Sequence, residues 1–208
     1  MLADLVLPLE CGGCGAPSTR WCDACAQALA VRADHPVLIT PRLEPGVPVF
    51  SLGRHAGVRR AAIIAVKEHG RSELARPLGA ALGVGLRNLV AWGIVETPLT
   101  LVPGPTRRSA ARRRGGDPVT RMAQVAAPLD AAVVQALRTR AFTRDSVGLS
   151  AGARQVNIAG RVRVRRPVSG EVVLIDDIVT TGATACESVR VLQTAGARVA
   201  AVLAVAHA

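Results

Sequence analysis

The chain has 208 residues, half of them apolar and a fifth charged. That is enough to bury a core, and it excludes a chain disordered throughout. Its 26 basic against 15 acidic residues leave a net charge of +11, carried almost wholly by arginine since Lys67 is the lone lysine. Anionic partners are favoured, whether nucleic acid, a membrane surface or phosphorylated small molecules. Only Trp21, Phe50, Trp92 and Phe142 could stack unpaired bases. No uncharged apolar run reaches the roughly 18 residues of a membrane span. Residues 1–9 lack the basic flank and cleavage site of an export signal, so the expected location is cytoplasmic.

The first chemistry in chain order is Cys11-Gly12-Gly13-Cys14 followed by Cys22-Asp23-Ala24-Cys25. Each pair can fold as a tight knuckle, and the seven intervening residues span about 23 Å at most, enough to fold back onto one ion. Four thiolates make a closed, structural zinc site. Two disulfides, an iron–sulfur centre and a redox pair are the alternatives. Residues 1–35 are expected as a zinc-binding module whose small core leaves the metal to supply folding energy. Trp21 is expected to pack over it. His35, His55, His69 and His207 match no ligand spacing with these cysteines.

Pro36, Pro41, Pro45 and Pro48 discourage a helix, and residues 36–48 are expected as a linker. Residues 49–208 then alternate helical patterns with short apolar runs. The periodicity predicts helices over 57–69, 72–92 (weakened by glycines) and 117–138 (interrupted at Pro128). Leu99 to Val102 reads as a strand closed by Pro103-Gly104-Pro105. Residues 143–170 read as a mobile connection. The continuous run Val172 to Ile175 has the look of a strand covered on both faces. A helix from Thr184 to Ala195 and a strand from Val199 to Val205 complete an α/β chain with a parallel sheet.

The sharpest pattern is Val172-Val173-Leu174-Ile175-Asp176-Asp177-Ile178-Val179-Thr180-Thr181-Gly182-Ala183-Thr184, running straight into a helix. A buried strand delivers its carboxyl end to the crevice where open α/β sheets bind ligands. Asp176 and Asp177 can accept hydrogen bonds from vicinal sugar hydroxyls. Thr180 to Thr184 combine hydroxyls, small side chains and the amides of a helix start, and Gly182 tolerates positive φ and a closely approaching ligand. The same elements also occur as an ordinary turn with Thr184 as a cap. Cys186, just inside this helix, reads as a small buried residue, with a reactive thiol as the alternative.

This stretch resembles the phosphoribosyl pyrophosphate (PRPP) signature of the type I phosphoribosyltransferases. The order of the cysteine pairs, the helical Ile63-Ile64-Ala65-Val66-Lys67-Glu68-His69-Gly70, the Leu101-Val102-Pro103 strand end with its arginine-rich sequel, and the signature resembles the ComF family, competence-protein-like members of that class. The resemblance implies a type I phosphoribosyltransferase fold with a small amino-terminal zinc module held by four cysteines. It implies PRPP with its 5-phosphate on Thr180, Thr181, Gly182, Ala183 and Thr184 and its ribose on Asp176 and Asp177. Pyrophosphate would sit on Pro103 and Gly104 and on Arg107 and Arg108, with Arg112, Arg113, Arg114 and Arg154 as further cations. Magnesium would reach Asp176 and Asp177 through the ribose or water, and Lys67 would be a phosphate contact. Where such families show Val-Pro-Val-Pro and Arg-Gly-Phe-Asn-Gln, this chain has Val102-Pro103-Gly104-Pro105 and Arg114-Gly115-Gly116-Asp117-Pro118. Thr180 stands where purine-type members place an acidic base.

The function expected from this resemblance is phosphoribosyl transfer with release of pyrophosphate, the acceptor unspecified. A different class stays open: a nucleic-acid-associated competence or DNA-uptake protein using the fold as a nucleotide sensor without catalysis. A third reading is a folded member that does no chemistry. Expected partners are PRPP or a related phosphoribosyl compound, single-stranded DNA or DNA-uptake machinery, and a second copy in a homo-oligomer.

Overall fold

The computed structural model describes residues 9–105, 116–139 and 160–208. The first helix, α1 (Asp23–Leu29), precedes strands β1 (Val37–Ile39) and β2 (Val49–Ser51). Helix α2 (Gly57–Glu68) and a 3-10 turn at Ser72–Leu74 lead into α3 (Ala75–Ala91). Strand β3 (Leu99–Pro103), helix α4 (Pro118–Ala126) and the short strands β4 (Ala132–Val133), β5 (Leu137–Thr139) and β6 (Val162–Val164) follow. Strand β7 (Glu171–Val179), helix α5 (Ala183–Thr194) and strand β8 (Arg198–His207) complete the described chain.

Among the described residues six strands form one sheet in the order β1-β2-β8-β7-β3-β4, and β5 and β6 form a separate pair. Of its described strands only β1 runs antiparallel. The period of two along β7 divides the core. Val173 and Ile175 face a cluster with Ile63, Val66, Leu78, Leu82, Leu86 and Met122 of α2, α3 and α4. Val172 and Leu174 face a second cluster with Ala185, Val189 and Leu192 of α5. The continuous apolar run is thus explained: both faces of this strand are covered.

The proline-studded span 36–48, expected as a linker, contains β1, and its Leu43 N–H donates to the Thr181 carbonyl at 2.8 Å. Prolines exclude a helix but permit an edge strand. The helix expected over 117–138 ends at Ala126, before Pro128, and residues 132–139 supply β4 and β5. Ala132 and Val133 carry an apolar pattern that suits either state, and parallel pairing with Thr100 and Leu101 decides it. The connection expected over 143–170 includes β6 in its described part. The glycines that weaken the propensity of α3 have a packing use. A Cβ on Gly79 would lie 2.7 Å from the Met122 carbonyl oxygen and from Val125 Cβ, so α3 and α4 approach more closely than side chains allow. Among the described residues, no helix is long and apolar enough to cross a membrane.

Candidate active site and metal centre

The two acids stand at the carboxyl end of β7, where β3 delivers its own loop alongside. Gly104 N–H donates to the Ile175 carbonyl at 2.7 Å. A Cβ at Gly104 would lie 3.2 Å from Asp176 Oδ1, so the absence of a side chain there lets the β3 loop sit directly against the Asp176 carboxylate. Asp176 is partly exposed, and its Oδ1 accepts from the Asp177 N–H at 2.9 Å. Desolvation and the neighbouring Asp177 charge outweigh Lys67 and that amide, and push Asp176 up to about 7.

Asp177 continues the face set by Val173 and Ile175, toward α2. It is 5% exposed, and its Oδ1 accepts from Lys67 Nζ, in the last turn of α2, at 2.8 Å. The two residues are 110 positions apart, and no sequence pattern joins them. Lys67, implied as a phosphate contact, is the counter-charge of the second acid in this structure. His55 also lies within electrostatic reach of Lys67 and Asp177; burial lowers its pKa first, and the cations Arg60 and Lys67 add to that.

Beyond the acids, Thr180 is exposed, Thr181 half-buried and Gly182 buried. Gly182 is the N-cap of α5 with φ 84°, a left-handed conformation that favours glycine. Thr184 lies inside the helix, so it is not the cap. The Thr181 hydroxyl accepts from Ala183 N–H at 3.4 Å. The close approach expected at Gly182 from a ligand is made by the chain itself. A Cβ on Gly182 would collide with the Leu43 carbonyl and lie 2.9 Å from Pro41 Cβ. The strap at 41–43 therefore packs directly on the loop. The first amides of α5, at 183–185, have no intrahelical acceptor, and the positive end of the helix dipole favours an anion beside them.

Of the residues implied for pyrophosphate, Pro103 and Gly104 adjoin Asp176, whereas Arg107, Arg108, Arg112, Arg113, Arg114 and Arg154 lie outside the described residues. Asp117, at the end of the departed motif, caps α4. It accepts from Val119 N–H at 3.1 Å and from the Thr120 hydroxyl at 2.7 Å.

The four amino-terminal thiols converge. The sulfurs of Cys11, Cys14, Cys22 and Cys25 all lie within 4.8 Å of one another. Cys22 Sγ is 3.7 Å from Cys11 Sγ and 3.6 Å from Cys14 Sγ. A tetrahedral zinc with Zn–S near 2.3 Å sets S···S at about 3.8 Å, so the donor set fits that ion. All five cysteines are free, and these separations far exceed the roughly 2.05 Å of a disulfide. Burial opposes the Cys11 thiolate, but main-chain N–H groups of Cys14, Gly13 and Cys22 and the Cys25 thiol draw it down to about 6. Such N–H···S contacts are what a knuckle offers to a metal-bound sulfur. Cys25, buried among the other thiols, is pushed strongly upward.

The module does not stand alone. A Cβ on Gly13 would meet Cys25 Sγ, Val58 of α2 and the Trp21 ring, and one on Gly12 would collide with Leu74. Leu29 joins the main core, with Trp21 packed against it, and Arg71 donates to the Glu10 carbonyl at 2.7 Å. Cys186 is half-buried and its thiol is raised by burial, which disfavours the reactive thiolate. No protein-family model matches this chain, and no curated protein matches it.

Proposed function

We propose that this chain has a type I phosphoribosyltransferase fold of the ComF type and binds PRPP with magnesium, transferring the phosphoribosyl group with release of pyrophosphate. One juxtaposition carries the reading. Two segments from adjacent parallel strands, the end of β3 at 103–104 and the turn and helix start at 180–184 after β7, flank an acid pair at the carboxyl edge of the sheet. A molecule with an anion at each end and a diol in the middle matches that order. Its 5-phosphate would take the amides and hydroxyls of 180–184, its ribose hydroxyls Asp176 and Asp177, and its pyrophosphate the β3 loop.

The transfer balances simply. A lone pair on the acceptor forms the new bond at the anomeric carbon, the bond to the pyrophosphate oxygen breaks and its electron pair leaves with pyrophosphate, and the acceptor's proton goes to water. When bound, magnesium supplies charge neutralisation on the leaving group. The chain's own part is to fix the ribose through the acids and to hold Asp177 in place through Lys67.

Calorimetric titration with PRPP and magnesium tests this. The wild type should give a saturable heat that is lost in the Asp176→Asn/Asp177→Asn double variant, and equal heats from a folded double variant contradict the reading. The net charge of +11 supports a second reading, association with single-stranded DNA or DNA-uptake machinery. Gel shifts across salt separate specific binding from generic attraction, which fades steeply with ionic strength.

A further inference from the structure

Displacement at the anomeric carbon opposite a leaving group needs the acceptor on the far side from pyrophosphate. With the leaving group on the β3 loop, that side is the β8–β2 edge of the sheet, where a cluster of cations gathers. The chain after β2 runs on beside the end of β8: His207 N–H donates to the Gly53 carbonyl at 3.0 Å, His55 N–H donates to the His207 carbonyl at 2.7 Å, and Arg54 bridges to His207. The Arg59 guanidinium lies on Gly53, its Nη1 2.9 Å from where a Cβ would stand. Both Arg54 and Arg59 act electrostatically on His207, and His55 lies within electrostatic reach of Arg60, Lys67 and Asp177.

Among the described residues, no hydrogen bond or ion pair joins Arg54, Arg59 or Arg60 to an acid, and the pKa of Arg59 is lowered by burial alone. Arg59 Nε and His207 Nδ1 are buried without partners. Arg59 and Arg60 also occupy the first turn of α2, which holds no acid although the dipole favours one there. Like charges side by side are unfavourable unless a counter-charge lies beside them, and with Nε buried it is the terminal Nη groups of the half-buried Arg59, together with the exposed Arg54, that an anion from outside can reach.

We propose that Arg54, Arg59 and His207 form the acceptor subsite and that the acceptor is a small molecule carrying an oxyanion, a carboxylate or a phosphate. The inference rests on the phosphoribosyl reading for its placement and adds the substrate class. A neutral base would leave the cluster uncompensated, whereas an oxyanion can take charge-assisted bonds from the guanidinium groups.

The test uses the full zinc-loaded chain saturated with PRPP and magnesium, titrated with benzoate, phenyl phosphate and the neutral benzamide. At least one of the two anions should bind and benzamide should not. Arg59→Met and, independently, the exposed Arg54→Met should each weaken that anion about tenfold or more, while Arg87→Met should leave it unchanged. Which anion binds tells carboxylate from phosphate. Benzamide binding as well as the anions, undiminished anion binding in both variants, or no anion binding by the wild type overturns the proposal. The PRPP titration, run first, reports on the parent reading separately. If PRPP does not bind, that reading falls, and the anion titration in its absence still decides whether the arginine cluster is an anion site.

Discussion

At the scale of single residues, the account turns on groups whose neighbours set their state. Asp176 is held up to about 7, above the roughly 3.9 of an unfolded aspartate. Between these values the native protein binds a proton that the unfolded chain has released. The stability from this group is therefore complete below pH 4 and is lost as pH rises through 7. Asp176→Asn removes that slope, so the stability of the wild type relative to the variant, measured by denaturant titration across pH 4 to 8, should fall as pH rises. A flat difference contradicts the environment described for Asp176. Asp177 tests differently. Lys67→Met removes the partner of a buried carboxylate and should cost about 3 kcal/mol or more of stability by the same assay. Gly182→Ala meets both a left-handed backbone and the Leu43 carbonyl, and should cost roughly 2 kcal/mol or more.

At the scale of elements, the reach of the sequence and its end are both visible. The span from Val172 to Thr184 was legible because strand, acids, turn and helix start follow one another without a break in the sequence. The four cysteines were legible for the same reason. The ion pair from α2 to β7, the strap on Gly182 and β1 in the proline segment were not, because each is fixed by a partner far along the chain. The overlong helix at 117–138 failed where an apolar run fits either period and only pairing with β3 selects a strand. The glycines of α3 were seen as weak helix formers, and their use appears only when α4 is set against them. Gly79→Ala, favourable for an isolated helix, should here destabilise by about 1–3 kcal/mol because its methyl meets Met122 and Val125. A gain in melting temperature contradicts that packing.

At the scale of the molecule, the cysteine cluster and the acid pair meet through α2. That helix carries Val58 against the cysteine module at one end and Lys67 against Asp177 at the other. Metal in the thiol cluster should therefore stabilise more than the amino-terminal segment. Stripping it with a strong chelator is expected to release one zinc per chain and to lower the unfolding temperature of the whole protein, and no change in that temperature contradicts the docking of the module on the core. The sheet itself brings two loops and two acids to one edge, and the proposed binding of PRPP rests on that arrangement.

The most direct measurement is a crystal structure with PRPP and magnesium bound. The account predicts the 5-phosphate against the amides of 180–184, the ribose hydroxyls on Asp176 and Asp177, and pyrophosphate beside Gly104. PRPP bound elsewhere, or bound at that edge with its ribose out of reach of both acids, contradicts it.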